Sequence, residues 1–326
     1  MLLISKASVP QRSAGRRAEN MSGRCARATN VTRFVAHPLA HGSDALPDRT
    51  SCVFMTGGPK AYLPGVLCVI HRLSSVGSVH PLVVMVPEEE VAWFTRELDR
   101  HGPLHPRLSI LATSHLEYSF GTSAGRRATW ADTFAKRWRD KGFHVLDKLH
   151  TLVAPFSRVV WLDADVHVVR NVDELCSLDD SVGFAAAYNV GAEARTCFHA
   201  AGNYMASERC TECQHHHISQ QEQRSTYFTS RAIREDRRHL PNCTYEFNTG
   251  VMVVKPLSRR IFRKDVLEPL MCGQVSSSDK ADQGAINHLV HARRLFGSRG
   301  VALLNNSYNV GAAAFEPANP MLRVNR

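Results

Sequence analysis

From Pro47 onward, short uninterrupted apolar runs alternate with longer stretches in which apolar residues recur every three or four positions. CVFMTG (52–57), PLVVMV (81–86), LSILAT (108–113), RVVWLDADV (158–166), VGFAAAY (182–188), EFNTGVMVVKP (246–256) and VALLN (301–305) predict strands. None shows the in–out alternation of a half-exposed strand, so both faces should be covered. Between them, AYLPGVLCVIHRLSSVG (61–77) reads as a loop entering a helix. EEEVAWFTRELDRHG (88–102) reads as an amphipathic helix whose acidic first turn suits its dipole. Thr129 to Val153 is predicted mostly helical with a break at Gly142, followed by helices at Ser258–Met271 and around ADQGAINHLVH (281–291). Buried strands separated by helices predict an α/β fold, a mostly parallel sheet with helices on both faces. From Asn189 to Asn242 the pattern turns polar, with QHHHISQQEQRS at its centre, and predicts an insertion over about 190–241.

The 326 residues suffice for one large α/β domain or two smaller ones. No apolar run reaches the roughly 18–20 residues that cross a bilayer, and MLLISKASVPQRS is too short in apolar length for a signal peptide. The net charge is +10, and residues 1–43 hold seven basic side chains against one acidic one, Glu19. Residues 1–47 therefore read as a basic tail or an organelle transit peptide, and 48–326 as the folded domain. The remaining positive charge favours an anionic substrate such as a nucleotide. Nothing interleaves aromatic with basic residues as a nucleic-acid-binding surface does.

Nine cysteines, an odd number spread along the chain, do not suggest a compact disulfide scaffold. Cys197, Cys210, Cys213 and Cys243 cluster around His199 and His215–His217. That group fits a zinc site, a local disulfide or incidental thiols in the insertion. Sequons stand at Asn20, Asn30, Asn242 and Asn305.

The most chemical stretch is RVVWLDADVHVVRNVDEL (158–175), where two aspartates interrupt an apolar run. On a strand, Asp163 and Asp165 would point to one face. Open α/β sheets gather ligands at the carboxyl ends of their strands, and two carboxylates there suit a hard divalent cation. The plainer reading is a strand end whose aspartates are solvated or hydrogen-bonded.

WLDADVHVVRNVDEL (161–175) resembles the metal-binding D-x-D segment of family 8 glycosyltransferases, the group of glycogenin and galactinol synthase. AYLPGVLCVIHRL (61–73), KLH (148–150), FNTGVMVVKP (247–256) and DQGAINHLV (282–290) resemble that family's other motifs, in its order, over roughly residues 50–310. The resemblance implies a GT-A-type, Rossmann-like fold and a metal-dependent retaining transfer of a hexose from a UDP-sugar to a hydroxyl acceptor. It implies Mn2+ or Mg2+ held by Asp163 and Asp165 with Ala164 between them, and Lys148 acting on the diphosphate. Asn248 and Gly250 would meet the donor, Asp282 and Gln283 the sugar and its reacting face, and Thr56 and Tyr62 the uridine. Each has a plainer reading: a surface lysine at 148, a turn asparagine at 248, a helix cap at 282. The loop TGGPKAY is longer than the family's, and Tyr308–Asn309 match a Y-N pair of structural character.

The family also places a metal-ligating histidine and a lysine in a late segment of the form H-x-x-G-x-K-P-W. The chain ends at NPMLRVNR without it, so the expectation is a sequence incomplete at its C terminus or a partly filled metal shell. Two other readings compete. One is a non-catalytic nucleotide-binding protein of the same fold. The other is a haloacid-dehalogenase-type phosphatase, whose first motif is also a hydrophobic run ending in D-x-D.

Overall fold

The computed structural model describes residues 34–37, 39, 47–116, 145–188, 197–198, 204–205, 227–228, 247–272, 274–275, 281–297, 300–305 and 308. Eleven strands lie among them: β1 (Val35–His37), β2 (Cys52–Gly57), β3 (Leu82–Pro87), β4 (Leu108–Thr113), β5 (Arg158–Leu162), β6 (Phe184–Tyr188), β7 (Cys197–Phe198), β8 (Tyr204–Met205), β9 (Tyr227–Phe228), β10 (Phe247–Val254) and β11 (Val301–Leu304). Nine form one sheet in the order β1-β4-β3-β2-β5-β10-β6-β11-β9, and β7 pairs with β8 separately. β2 to β6 and β11 run in one direction, and β1, β9 and β10 in the other. The sheet is thus mostly parallel, as expected, with an antiparallel β10 set between β5 and β6.

Two helical layers cover it. On one face lie α1 (Leu63–Ser75) and α2 (Val91–Arg100), which bury Val69, Ile70, Phe94 and Leu98 against Phe54, Val84 and Val160. On the other lie the 3-10 helix Val145–Val153, the helical run Arg259–Ile261, Phe262–Leu267 and Glu268–Met271, and the helix Ala281–Asn287 with its π-helical extension His288–Ala292. They bury Leu149, Phe262 and Ile286 against Met55, Trp161 and Met252. Successive strand residues serve opposite cores, which is why the strands read as unbroken apolar runs. Phe262–Leu267 is a π turn directly before Pro269. Proline cannot donate to the helix and crowds the carbonyl four residues back, and a wider turn relieves both.

Three expectations change. The D-x-D aspartates do not sit on the strand: β5 ends at Leu162, and Val166 N–H closes a turn onto Asp163 O at 2.9 Å. Nor does the apolar run resume as strand at Val166; residues 166–172 run as irregular chain. That stretch is held instead by side chains. Asn171 donates to Val76 O and Gly77 O and accepts from Asp173 N–H, while Asp173 accepts from Ser78 Oγ and Val79 N–H. Finally, Val35–His37 lies within the stretch expected to be a basic tail, yet pairs antiparallel with β4.

A disulfide joins Cys52, at the start of β2, to Cys176 in the 3-10 helix Asp173–Ser177. Its partners are 124 positions apart, a pairing that spacing alone did not reveal. The predicted helix before Val145 and the Cys/His group of the insertion, apart from the backbone of Cys197, lie outside the described residues.

Candidate functional site

Because β2 to β5 are parallel, their carboxyl ends meet at one edge. There Gly57, Pro87, Thr113 and Trp161 line a pocket of about 200 Å³ together with Tyr62, Asp147, Lys148, Asp163, Ala164, Asp165 and Asp282. This is the position at which open α/β sheets bind ligands.

The D-A-D turn is set by backbone and packing. Asp163 N–H donates to Gly250 O at 2.8 Å, so pairing with β10 persists one residue past the end of β5. Ala164 is buried beneath α1. A turn seated this way presents Asp163 inward, while Asp165 stays exposed.

Lys148 is the electrostatic centre. Its Nζ lies 2.7 and 2.9 Å from the two oxygens of Asp163, 2.9 Å from Asp282 Oδ2 and 3.3 Å from Thr249 Oγ1. Its side chain is only 7% exposed. Burial alone would lower its pKa, but Asp163 and Asp282 outweigh that and hold it raised, so the ammonium stays charged. The reading of a surface helix lysine does not hold: Lys148 is a buried ion-pair partner on a 3-10 helix.

Although its side chain reaches solvent, Asp165 has a raised pKa, first because the surrounding pocket wall partly desolvates its charge and then because Asp163 repels it. The Tyr62 hydroxyl is raised by burial, then by Asp165, Asp163 and Asp282. The pocket therefore carries more carboxylate than Lys148 neutralises, and an added cation would relieve the crowding.

The other predicted residues lie beside the pocket or beneath it. Thr56 is fully buried and its Oγ1 has no hydrogen-bond partner among the described residues; its neighbours Gly57 and Gly58 line the pocket. Asn248 Oδ1 accepts from Gly250 N–H at 2.9 Å, within the stretch where β10 loses register with β6. That irregularity bends the strand beside the site. Gln283 Oε1 accepts from Thr249 N–H at 3.3 Å, joining the helix Ala281–Asn287 to β10. Tyr308 docks away from the pocket, its hydroxyl donating to Glu174 at 2.9 Å, and Asn309 lies outside the described residues.

Sequence reading missed several contributors. Trp161 Nε1–H donates to Asp163 Oδ1 at 2.6 Å. Asn287, fully buried, accepts from Phe247 N–H and donates to Phe247 O and Gln283 O. Beside Asp147 of the pocket lining, His115 bridges two carboxylates, with Nδ1 2.5 Å from Asp147 and Nε2 2.6 Å from Glu89. Burial opposes the charge on His115, but Asp147 and then Glu89 overcome it and lift the pKa to about 9. No sequence signal marks these three, since each works through a partner distant in the chain or through a strand end not visible in the pattern.

Among the described residues, no three His, Cys, Asp or Glu side chains converge as a metal site. Asp163 and Asp165 still fit a hard cation. They are oxygen donors lining one pocket, close enough that Asp163 raises the pKa of Asp165, and Mg2+-type ions commonly take one or two protein carboxylates and fill the shell with phosphate and water.

No protein-family model matches the chain, and no curated protein matches it in sequence. Solved structures similar to it include the apo-form glycosyltransferase GlyE of Streptococcus pneumoniae TIGR4, at 14% identity and TM-score 0.38, covering 79% of this chain and 46% of that one. The Mn/GDP form of core-mannan synthase A from Aspergillus fumigatus gives 10% and 0.38, covering 80% and 73%. The galactosyltransferase LgtC with donor and acceptor sugar analogs gives 16% and 0.37, covering 73% and 70%. The chain thus spans under half the length of GlyE.

Proposed function

We propose that the chain is a GT-A-type glycosyltransferase that moves a hexose from a UDP-sugar to a hydroxyl acceptor, with retention, using Mn2+ or Mg2+. One observation carries this reading. Residues from three separate motifs, Lys148, Asp163 and Asp282, meet through a single buried ammonium at the carboxyl ends of a parallel sheet.

Asp163 and Asp165 would hold the cation. Bound there, it would neutralise the charge that builds on the departing nucleoside diphosphate. Lys148 would add a second positive charge within reach of the same phosphates. Asp282, at the start of its helix, faces the pocket as an acceptor for sugar hydroxyls. Gln283 serves this site by joining its helix to β10, Asn248 by bracing the irregular start of β10 through Gly250 N–H, and Gly250 by anchoring Asp163. Tyr62 and the glycine-lined end of β2 would border the uridine, with Thr56 behind them.

The test is turnover of UDP-glucose and UDP-galactose by the purified chain, with Mn2+ and with chelator, over a panel of hydroxyl acceptors. Mn2+-dependent release of UDP that is lost in Asp163→Asn supports the proposal. UDP binding without turnover selects the non-catalytic reading. Phosphate release from a phosphomonoester selects the phosphatase.

A further inference from the structure

Trp161 holds a position that packing alone does not explain. It lies on β5, two residues before Asp163, with its ring 4% exposed against the pocket floor. Buried tryptophan needs a partner for its indole N–H, and here the partner is the D-x-D carboxylate itself, at 2.6 Å. A phenylalanine would fill much of the space without donating. The oxygen that takes the indole proton, Oδ1, also lies 2.7 Å from Lys148 Nζ, and that ammonium sits 5.8 Å from the indole centroid.

Asp163 thus has two donors of different character. Lys148 is long, charged and shared among Asp163, Asp282 and Thr249. The indole is rigid, neutral, fixed by a central strand and bonded to Asp163. An anionic ligand drawing Lys148 toward itself would strip Asp163 of its cation. The indole bond would stay in place and keep the carboxylate from rotating away.

We propose that Trp161 is a positioning residue: its indole N–H fixes the rotation of the Asp163 carboxylate, so that the oxygens are aligned for a divalent cation before it arrives. This rests on the functional reading above. Groups that orient a metal ligand from behind typically affect metal affinity about 10–100-fold.

The experiment measures Mn2+ binding by electron paramagnetic resonance in the wild-type chain, Trp161→Phe and Asp163→Asn, alongside the thermal midpoint without metal. Trp161→Phe should weaken Mn2+ binding about 10–100-fold with a midpoint close to wild type, a split that simple loss of packing would not produce. Wild-type affinity in Trp161→Phe overturns this proposal and leaves the functional reading standing. Failure of the wild-type chain to bind Mn2+ overturns both. Should Trp161→Phe not fold, proton NMR of the wild-type indole N–H decides. Its resonance should shift in Asp163→Asn, and an unmoved resonance overturns the proposal.

Discussion

The α-carbon of Gly65 rests against the carbonyl of Ala164: a Cβ built on Gly65 would stand 2.0 Å from Ala164 O. Helix α1 can approach the D-A-D turn this closely only because position 65 has no side chain. Gly65→Ala must therefore push the turn or the helix outward, and overpacking of this kind costs about 1–3 kcal/mol. We expect a lower denaturant midpoint together with weakened Mn2+ binding, measured on the same sample. Loss of stability with unchanged Mn2+ affinity would show that the turn does not depend on this contact.

Lys148 neutralises Asp163 and Asp282 from inside the protein. Lys148→Met leaves both carboxylates facing an apolar side chain. Removing one member of a buried ion pair costs about 3 kcal/mol or more, read as a fall in unfolding free energy in urea. Lys148→Arg should recover only part of it, because a planar guanidinium cannot reproduce three contacts around one tetrahedral nitrogen.

His115 ties the turn before α2 to the 3-10 helix of Lys148 through Glu89 and Asp147. Its pKa is raised from 6.5 to about 9, so the folded state binds its proton more tightly than the unfolded chain does. The resulting stabilisation is complete below about pH 6.5 and disappears as pH rises through about 9. Thermal midpoints of wild type and His115→Gln between pH 6 and 10 should differ most at pH 6 and converge above pH 9. A gap independent of pH would rule out this charge.

Asn287 supplies β10 with hydrogen bonds that a neighbouring strand would otherwise provide. Asn287→Ala strands the buried N–H and C=O of Phe247, at a cost of about 1–3 kcal/mol. Asp282 lies on the same helix, so UDP affinity should fall too. Calorimetric titration with UDP and urea denaturation check the two effects separately.

Sequence reading was most accurate where burial on both faces left an unbroken apolar run. CVFMTG and LSILAT match β2 and β4 residue for residue. The same feature concealed the direction of β10, since an apolar run reads alike parallel or antiparallel. It also concealed the end of β5: Asp163 keeps its bond to Gly250, and the chain turns only afterwards. At the site, Lys148, Asp163 and Asp282 were each recognisable from their motifs. Their convergence, and the parts played by Trp161, Asn287 and His115, depend on partners brought together only by folding.

If, as proposed, Asp163 and Asp165 hold a cation that in turn helps hold a nucleoside diphosphate, UDP binding depends on the metal. Calorimetric titration with UDP, in Mn2+ and in chelator, tests it most directly on wild type and Asp165→Asn. Mn2+ should tighten UDP binding at least about tenfold, equivalent to about 1.4 kcal/mol, and Asp165→Asn should remove that gain. Equal UDP affinity with and without Mn2+ would contradict it.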